Sequence, residues 1–452
     1  MKLTLINHDR RFAVEQAVFN YFPKRDGGSA TVRLSKNGQF ASAAIEYNGK
    51  AAYGRAWVPK DARPDNALRM AFYRAAKQLI APPPWGALTG VRPVKKAIEL
   101  LDDGRDVVNG LQKIYNVSPG RARMASDCAA SAVSLRDKLS RRDIALYIGI
   151  PFCPSRCTYC SFVSQSVERD AGLIDRYIDV LREEIKLAGE LALSVRTVYW
   201  GGGTPAVLSA EQFTLLTDMI KQHISLKHCQ EHTVEAGRPD VITGEKLAAY
   251  RAAGVTRVSV NPQTLDQSVL DAIGRRHTVE QFFSAYELAQ KAGFSINVDL
   301  ISGLPDEDEE GFIAGLEQVL QLSPENITIH TLARKRASQL HSHIGADVLD
   351  GPPLLQLYQA GYSPYYLYRQ KFSEGGFENT GWTKPGHACI YNLCMMEELT
   401  SVLSLGAGGV SKAVAGGRIE RIMHCKYPLE YIGRCDTIKN KITRFMNLMS
   451  GE

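Results

Sequence analysis

The sequence lacks the long apolar runs of a membrane protein, because no uninterrupted stretch reaches the roughly 18 residues that a spanning helix needs. The N-terminus becomes polar before an apolar segment of signal-peptide length develops. Internal repeats and low-complexity segments are also missing. The net charge of +6 is small for 452 residues, and the sequence has no dense basic stripe of the kind that binds nucleic acid. We therefore expect a cytoplasmic monomer without a membrane span or a nucleic-acid partner.

Cysteine is scarce and odd in number, with nine residues in the chain. An odd count in a long chain without a leader argues against a disulfide scaffold. Three cysteines lie within eight residues, and the other six are dispersed: Cys128, Cys229, Cys389, Cys394, Cys425 and Cys435. The spacing of the dispersed set fits no standard metal site, so we expect buried free thiols.

The length predicts two or three domains, and the pattern of elements changes twice along the chain. Residues 1–140 are typical of an N-terminal α+β domain, with a strand at 2–6, a helix at 11–21, strands within 30–58, a helix at 66–80 and helices over 94–139 interrupted near 116–120. Residues 141–340 form the second region, and residues 341–452 form a C-terminal cap. In this cap we expect a strand at 364–370, a loop at 382–396 that leads into a helix, and a glycine turn at 404–412.

The second region alternates short apolar runs with longer helical patterns, which indicates βαβ units and a parallel sheet. The predicted strands cover residues 146–152, 195–200, 233–236, 257–260, 295–301 and 327–331. Six units make an α/β partial barrel, short of the usual eight. Chemistry in such folds lies at the carboxyl ends of the strands.

Cys153-Pro-Ser-Arg-Cys157-Thr-Tyr-Cys160 directly follows the first of these strands. A four-iron cluster normally takes four thiolates, so three leave one iron open to an outside chelator. The amino and carboxylate groups of S-adenosylmethionine suit that position. The alternative is a zinc site, which usually closes with four Cys or His ligands. No fourth ligand lies nearby in the sequence, which favours the cluster.

Further candidate ligand-binding residues lie at the ends of the later predicted strands. Trp200-Gly-Gly-Gly-Thr-Pro205 permits close backbone approach to a ligand, although a tight turn is an equal alternative. Glu235, Gln263, Arg275 and Asp299 follow in the same kind of position. A carboxylate within an apolar strand is costly unless paired, so these groups indicate either a polar ligand cavity or ion pairs inside the barrel. Four such positions together favour the cavity.

These motifs together resemble the oxygen-independent coproporphyrinogen III oxidase family of radical S-adenosylmethionine enzymes. The resemblance rests on Tyr147-Ile-Gly-Ile-Pro-Phe-Cys153, the three cysteines, Gly-Gly-Gly-Thr-Pro, Val-Glu-Ala, and Asp299-Leu-Ile-Ser-Gly-Leu-Pro305. Trp85-Gly-Ala-Leu-Thr-Gly-Val-Arg-Pro93 is similar to the HemZ branch. The resemblance implies a partial (β/α)6 radical-SAM barrel, a [4Fe-4S] cluster, and one or two molecules of S-adenosylmethionine.

The resemblance also implies site residues. Cys153, Cys157 and Cys160 match the catalytic cluster ligands. Tyr147, Gly202, Glu235 and Val410 match the family positions that line the cluster-bound S-adenosylmethionine. Positions for a second S-adenosylmethionine match Tyr159, Gly203, Thr204, Gln263, Arg275, Asp299 and Ala333.

The activity implied is a coproporphyrinogen III dehydrogenase, which decarboxylates two propionates of a porphyrinogen and needs a reductant such as flavodoxin or ferredoxin. The alternative is a haem-binding or haem-delivery protein without decarboxylase activity. Haem-chaperone relatives carry His-Asn-x-x-Tyr-Trp where this chain has Tyr391-Asn-Leu-Cys-Met-Met396, which weakens that alternative. Gly149 and Asn261-Pro262 are further departures from relatives. Candidate partners for substrate carboxylates are basic residues: Arg92, Lys95, Lys96, Arg334, Lys335, Arg336, Lys371 and Lys384.

Overall fold

The computed structural model describes residues 1–22, 27–60, 62–90, 92–162, 164–167, 172–191, 193–332, 351–369, 377–415, 418–434 and 436–450. A small sheet forms the N-terminal region. Its elements are β1 (Lys2–Ile6), α1 (Arg11–Tyr21), β2 (Ser29–Leu34), β3 (Phe40–Tyr47), β4 (Lys50–Trp57) and α2 (Asp65–Ala76). The strand order is β1-β2-β3-β4, with β1 parallel to β2 and the other pairs antiparallel. The alternating apolar residues of β3 face the two helices, so this sheet has a core of its own.

Three helices connect this sheet to the barrel: α3 (Pro93–Asp102), α4 (Val107–Tyr115) and α5 (Pro119–Arg136). The predicted interruption near residues 116–120 is present, because Asn116 has a left-handed backbone and Ser118 caps α5. Their apolar faces join the barrel core rather than the core of the small sheet. The boundaries at residues 140 and 340 stay predictions, and residue 340 lies outside the described residues.

The central sheet contains the six predicted parallel strands. The elements of this region are β5 (Asp143–Ile150), β6 (Phe152–Cys153), β7 (Gln165–Ser166), α6 (Leu173–Gly189), β8 (Ser194–Gly202), α7 (Ala210–His223), β9 (Glu231–Gly237), α8 (Gly244–Ala253), β10 (Arg257–Val260), α9 (Gln267–Ala272), α10 (Val279–Lys291), β11 (Ser295–Ser302), α11 (Glu309–Leu322) and β12 (Asn326–Thr331). Strands β5, β8, β9, β10, β11 and β12 are hydrogen-bonded in that order and run parallel. This confirms the predicted α/β partial barrel. The short helix α9 was not predicted.

The C-terminal elements extend the same sheet at both edges. They are α12 (Pro352–Gln359), β13 (Ser363–Arg369), β14 (Glu378–Thr383), α13 (Ile390–Glu397), β15 (Ser401–Leu405), β16 (Val410–Ala415), β17 (Arg418–Met423), α14 (Pro428–Gly433) and α15 (Asp436–Ser450). The antiparallel pair β13-β14 adds beside β12, and β15 adds parallel to β5. Trp382 therefore lies in a strand and not in the predicted loop; it is fully buried, and local sequence does not reveal such long-range pairing. None of the described helices combines the length and hydropathy needed to cross a membrane.

Candidate functional site

A cavity of about 300 Å³ opens at the carboxyl ends of the parallel strands. Eleven predicted site residues line it: Cys153, Cys157, Tyr159, Cys160, Gly202, Gly203, Thr204, Glu235, Gln263, Arg275 and Asp299. Tyr147 and Val410 are outside this lining, and Ala333 lies outside the described residues. The fold therefore brings together residues that are up to 146 positions apart in the sequence.

Strand pairing and hydrogen bonds hold the loop that carries the three cysteines at its ends and in its middle. Strands β6 and β7 form a short ladder across its base. At its centre, the backbone N–H of Thr158 donates to the carbonyl of Ile273 at 3.0 Å. The Sγ of Cys153 lies 3.5 Å from Oγ1 of Thr204. The three thiols thus belong to a braced loop at the mouth of the cavity.

The glycines at the end of β8 are required because the backbone there passes very close to the backbone of residues 150–152. Gly203 N–H donates to the carbonyl of Ile150 at 2.9 Å, and Thr204 N–H donates to that of Phe152 at 2.7 Å. A Cβ on Gly203 would lie 2.3 Å from the Phe152 oxygen, which no side chain tolerates. Gly202 has φ +113°, a conformation that favours glycine. The run lies against the cysteine loop and forms one wall of the cavity.

Arg275 is fully enclosed between the cysteine loop and two strand ends. Its Nη2 donates to the carbonyl of Gly237 at 2.9 Å and also to that of Asn261. Its Nη1 lies 3.2 Å from the Tyr159 hydroxyl and 3.9 Å from Sγ of Cys157. The guanidinium group therefore places a fixed positive charge beside the cysteine loop.

Glu235 is the acid at the end of β9. Burial raises its pKa to about 7, and the nearby Asp299 adds to the rise, while a hydrogen bond from the Tyr199 hydroxyl opposes it. The ring of Tyr199 stacks on Tyr391 at 4.1 Å between centroids. Tyr147 stacks on the same pair and lies behind the cavity wall, beside Glu235. Tyr147 thus supports this acid from outside the lining.

Asp299 lies at the centre of a polar network on β10, β11 and β12. Its two carboxylate oxygens accept from Nδ2 of Asn261 and of Asn297, each at 2.7 Å, and Nε2 of His330 lies 3.7 Å away. Burial would raise the pKa of Asp299, but the hydrogen bonds, led by that of His330, hold it below its usual range. Gln263 has φ +75°, and no described residue pairs with its buried Oε1. A ligand in the cavity could therefore bind the carboxylate of Asp299 and the amide oxygen of Gln263.

Several lining residues were missed by the sequence analysis. They include Arg156, Tyr199, Asn297, Thr328, His330, Tyr366, Tyr368, Asn392 and Met396. Asn297 could have been found, since it lies two positions before Asp299 and faces the same side of β11. The residues from β13 and α13 could not, because only tertiary structure brings them to the barrel mouth.

Of the candidate carboxylate partners, the four that the structure describes do not line the cavity. Lys384 binds the carbonyl of Ser323 at the opposite end of β12, Lys96 pairs with Glu99, and Lys95 is exposed. Arg92 pairs with two acids at the end of α13. The basic run at 334–336 and Lys371 lie outside the described residues.

The dispersed cysteines that the structure describes are free thiols, as predicted, and Cys435 lies outside the described residues. Across the described ranges, no three His, Cys, Asp or Glu side chains are arranged to hold a single metal ion. The three loop cysteines instead offer thiolates to a cluster, in which each sulfur binds a different iron. Their donor chemistry and the adjacent positive charge of Arg275 suit an anionic iron–sulfur cluster.

Comparisons with known proteins agree with this geometry. The profile of the Radical SAM superfamily matches residues 147–319. The chain is 35% identical over 384 residues to the oxygen-independent coproporphyrinogen-III oxidase-like protein HemZ of Bacillus subtilis, covering 80% of this chain and 77% of that one. It is 32% identical over 255 residues to the heme chaperone HemW of Mycobacterium tuberculosis, covering 55% and 64%. The solved structure of coproporphyrinogen III oxidase HemN from Escherichia coli shares the fold, with a TM-score of 0.50, 24% identity and coverage of 62% and 67%.

Proposed function

The chain belongs to the radical SAM family of oxygen-independent coproporphyrinogen III oxidase-like proteins, and from this we propose that it converts coproporphyrinogen III to protoporphyrinogen IX by oxidative decarboxylation. The family uses a [4Fe-4S] cluster and S-adenosylmethionine, so the prediction of these cofactors is confirmed at family level. A second S-adenosylmethionine remains part of the proposal. The observation that carries the proposal is the convergence of three loop cysteines, Glu235 and Asp299 on one cavity.

We assign roles to the residues as follows. Cys153, Cys157 and Cys160 hold the cluster, and Arg275 offsets its negative charge. When bound, the cluster and S-adenosylmethionine would supply the radical that removes one hydrogen atom from a propionate side chain. Loss of carbon dioxide would then leave a vinyl group, with the remaining electron passed to a one-electron acceptor.

The acids and amides of the cavity bind and orient the S-adenosylmethionine. Glu235, with a pKa of about 7, accepts hydrogen bonds from the amino group, and Asp299 faces the second ligand position. The glycine wall allows both ligands close backbone contact. We further propose a cytoplasmic monomer that takes electrons from a reductant such as flavodoxin or ferredoxin.

The second candidate function is haem binding or delivery, which the similarity to a protein named heme chaperone HemW favours. The position aligned with the chaperone His is Tyr391, whose ring is buried in the stack with Tyr199 and Tyr147. A side chain in that setting offers no ligand to iron. This observation supports the decarboxylase.

One anaerobic experiment tests both candidates. Reconstituted protein is incubated with coproporphyrinogen III, S-adenosylmethionine and a strong reductant, and the products are separated after oxidation to porphyrins. We expect loss of two carbon dioxide molecules per porphyrin, and none with a Cys157→Ala control. Stoichiometric haem binding in a parallel titration, without any vinyl product, would contradict the proposal and support the carrier.

A further inference from the structure

The described residues of the branch-specific motif, 85–90 and Arg92, have no role so far, and they contact two walls of the cavity from behind. One wall is β13, whose Tyr366 and Tyr368 line the cavity. The other is α13, whose Asn392 and Met396 line it. Both elements belong to the C-terminal region and line the same cavity as the cysteine loop.

The contacts to the first wall are buried and specific. The indole Nε1 of Trp85 donates to Oε2 of Glu378 at 2.6 Å, and Glu378 begins β14, the partner of β13. Nη1 of Arg369, at the end of β13, donates to the carbonyl of Leu88 at 2.7 Å. Since side chains alternate along a strand, Arg369 points away from the cavity while its neighbour Tyr368 points toward it. The segment therefore fixes the end of β13 from its outer face.

The contact to the second wall is ionic. Nη2 of Arg92 lies 3.6 Å from Oε2 of Glu397, and Nη1 contacts Glu398. These two acids end α13, and their side chains are almost fully enclosed. Burial raises the pKa of Glu397 to about 7, and Arg92 opposes the rise. Arg92 therefore holds the end of the helix that presents Met396 one residue earlier.

The segment itself is rigidly placed. Gly86 has φ +55°, and a Cβ there would lie 2.3 Å from the carbonyl oxygens of Tyr115 and Asn116. Ala87 N–H donates to the Tyr115 carbonyl at 2.7 Å. Residues 85–88 thus hold the β13 wall and Arg92 holds the α13 wall, so the spacing of the two walls depends on both sets of contacts.

We propose that Trp85 and Arg92 are positioning residues that set the distance between the β13 and α13 walls and so determine how the porphyrinogen is seated. This rests on the proposed function. Neither residue lines the cavity, and neither contacts the cysteine loop. Their loss therefore moves the substrate walls without altering the cluster.

The test compares Arg92→Ala, Arg92→Lys and Trp85→Phe with Arg136→Ala, which removes a similar but partly exposed Arg–Asp pair on α5. For Arg92→Ala we expect the KM for coproporphyrinogen III to rise about tenfold with kcat within about threefold, the pattern of lost substrate positioning. Iron content and substrate-free cleavage of S-adenosylmethionine stay at the wild-type level. Arg92→Lys should recover part of the KM. Trp85→Phe loses the indole N–H and part of the buried ring but no charge, and it should shift KM in the same direction by less.

Two results would overturn the inference. One is that the KM of both Arg92→Ala and Trp85→Phe equals that of Arg136→Ala. The other is that substrate-free cleavage of S-adenosylmethionine falls as much as substrate turnover does, which indicates a general structural role. Should Arg92→Ala fail to fold, Trp85→Phe decides alone. Should the wild type form no vinyl product, the proposed function fails, and the Kd for coproporphyrin III, measured by fluorescence quenching, replaces KM in the same comparison.

Discussion

Replacement of Arg275 by alanine gives the sharpest test of how the cysteine loop is held. The resemblance assigns this residue to a second S-adenosylmethionine. The structure instead directs its guanidinium group to Tyr159 and Cys157 in the loop and to the carbonyls of Gly237 and Asn261. We therefore expect Arg275→Ala to reduce the retention of the cluster as well as turnover.

The magnitude follows from the groups left behind. The change removes the charged donor from two buried carbonyl oxygens and one phenol, and each orphaned group costs about 1–3 kcal/mol. Because the residue lines a cavity, water can reach part of this space, so the lower end applies, about 3 kcal/mol in all. Arg275→Lys can renew one of the lost contacts and should cost about half as much.

The assay measures urea unfolding of the cluster-free protein and iron per chain after anaerobic reconstitution. Arg276→Ala is the matched control, since the neighbouring side chain is exposed. We expect the control to keep wild-type values and Arg275→Ala to lose both stability and iron. An Arg275→Ala protein with full iron and stability that fails only in binding S-adenosylmethionine would refute this reasoning and restore the role implied by the family.

Three further outcomes are expected. Alanine at any one of the three loop cysteines should abolish both iron content and cleavage of S-adenosylmethionine, whereas Cys229→Ala should retain both in the same assays. Burial raises the pKa of Glu184 from 4.5 to about 7, so the folded state favours its protonated form, and stability falls as pH rises between these values. In urea titrations, the free energy of unfolding of the wild type should fall between pH 5 and pH 7.5, and Glu184→Gln should make this fall smaller by up to about 3 kcal/mol. Glu378→Gln, which leaves the buried Arg121 without its anion, should lower the free energy of unfolding by about 3 kcal/mol or more, measured by urea denaturation.

The barrel was predictable because its signals are local. Most of the parallel strands are short, largely buried runs that contain β-branched residues. Several are followed by a helix with its own start signal, such as the capping boxes at Ser209 and Thr278. Strand ends mark the site, so Glu235 and Asp299 could be placed at the cavity from the pattern alone. The steric need for Gly203 comes from the Phe152 backbone, so the predicted close approach to a ligand stays a prediction.

The remaining features depend on contacts between distant parts of the chain. Strand β14 pairs with β12 across about 50 residues, and its polar residues Asn379 and Thr380 are buried only because of that pairing. Arg275 could be singled out from the sequence, but its partners in the cysteine loop lie more than 100 positions away. Sequence patterns report which face of an element is buried and do not report what covers it.

The choice between decarboxylase and haem carrier depends on what Tyr391 does behind the cavity wall, where its ring stacks on Tyr199. Its backbone N–H donates to Oε1 of Glu231 at 3.1 Å, and its ring stacks on Tyr199, which donates to Glu235. A tyrosine binds iron as the phenolate, and burial raises the pKa of Tyr391 well above 10. The residue that replaces the chaperone His thus cannot take over iron ligation, and it instead supports the acid that we assign to S-adenosylmethionine.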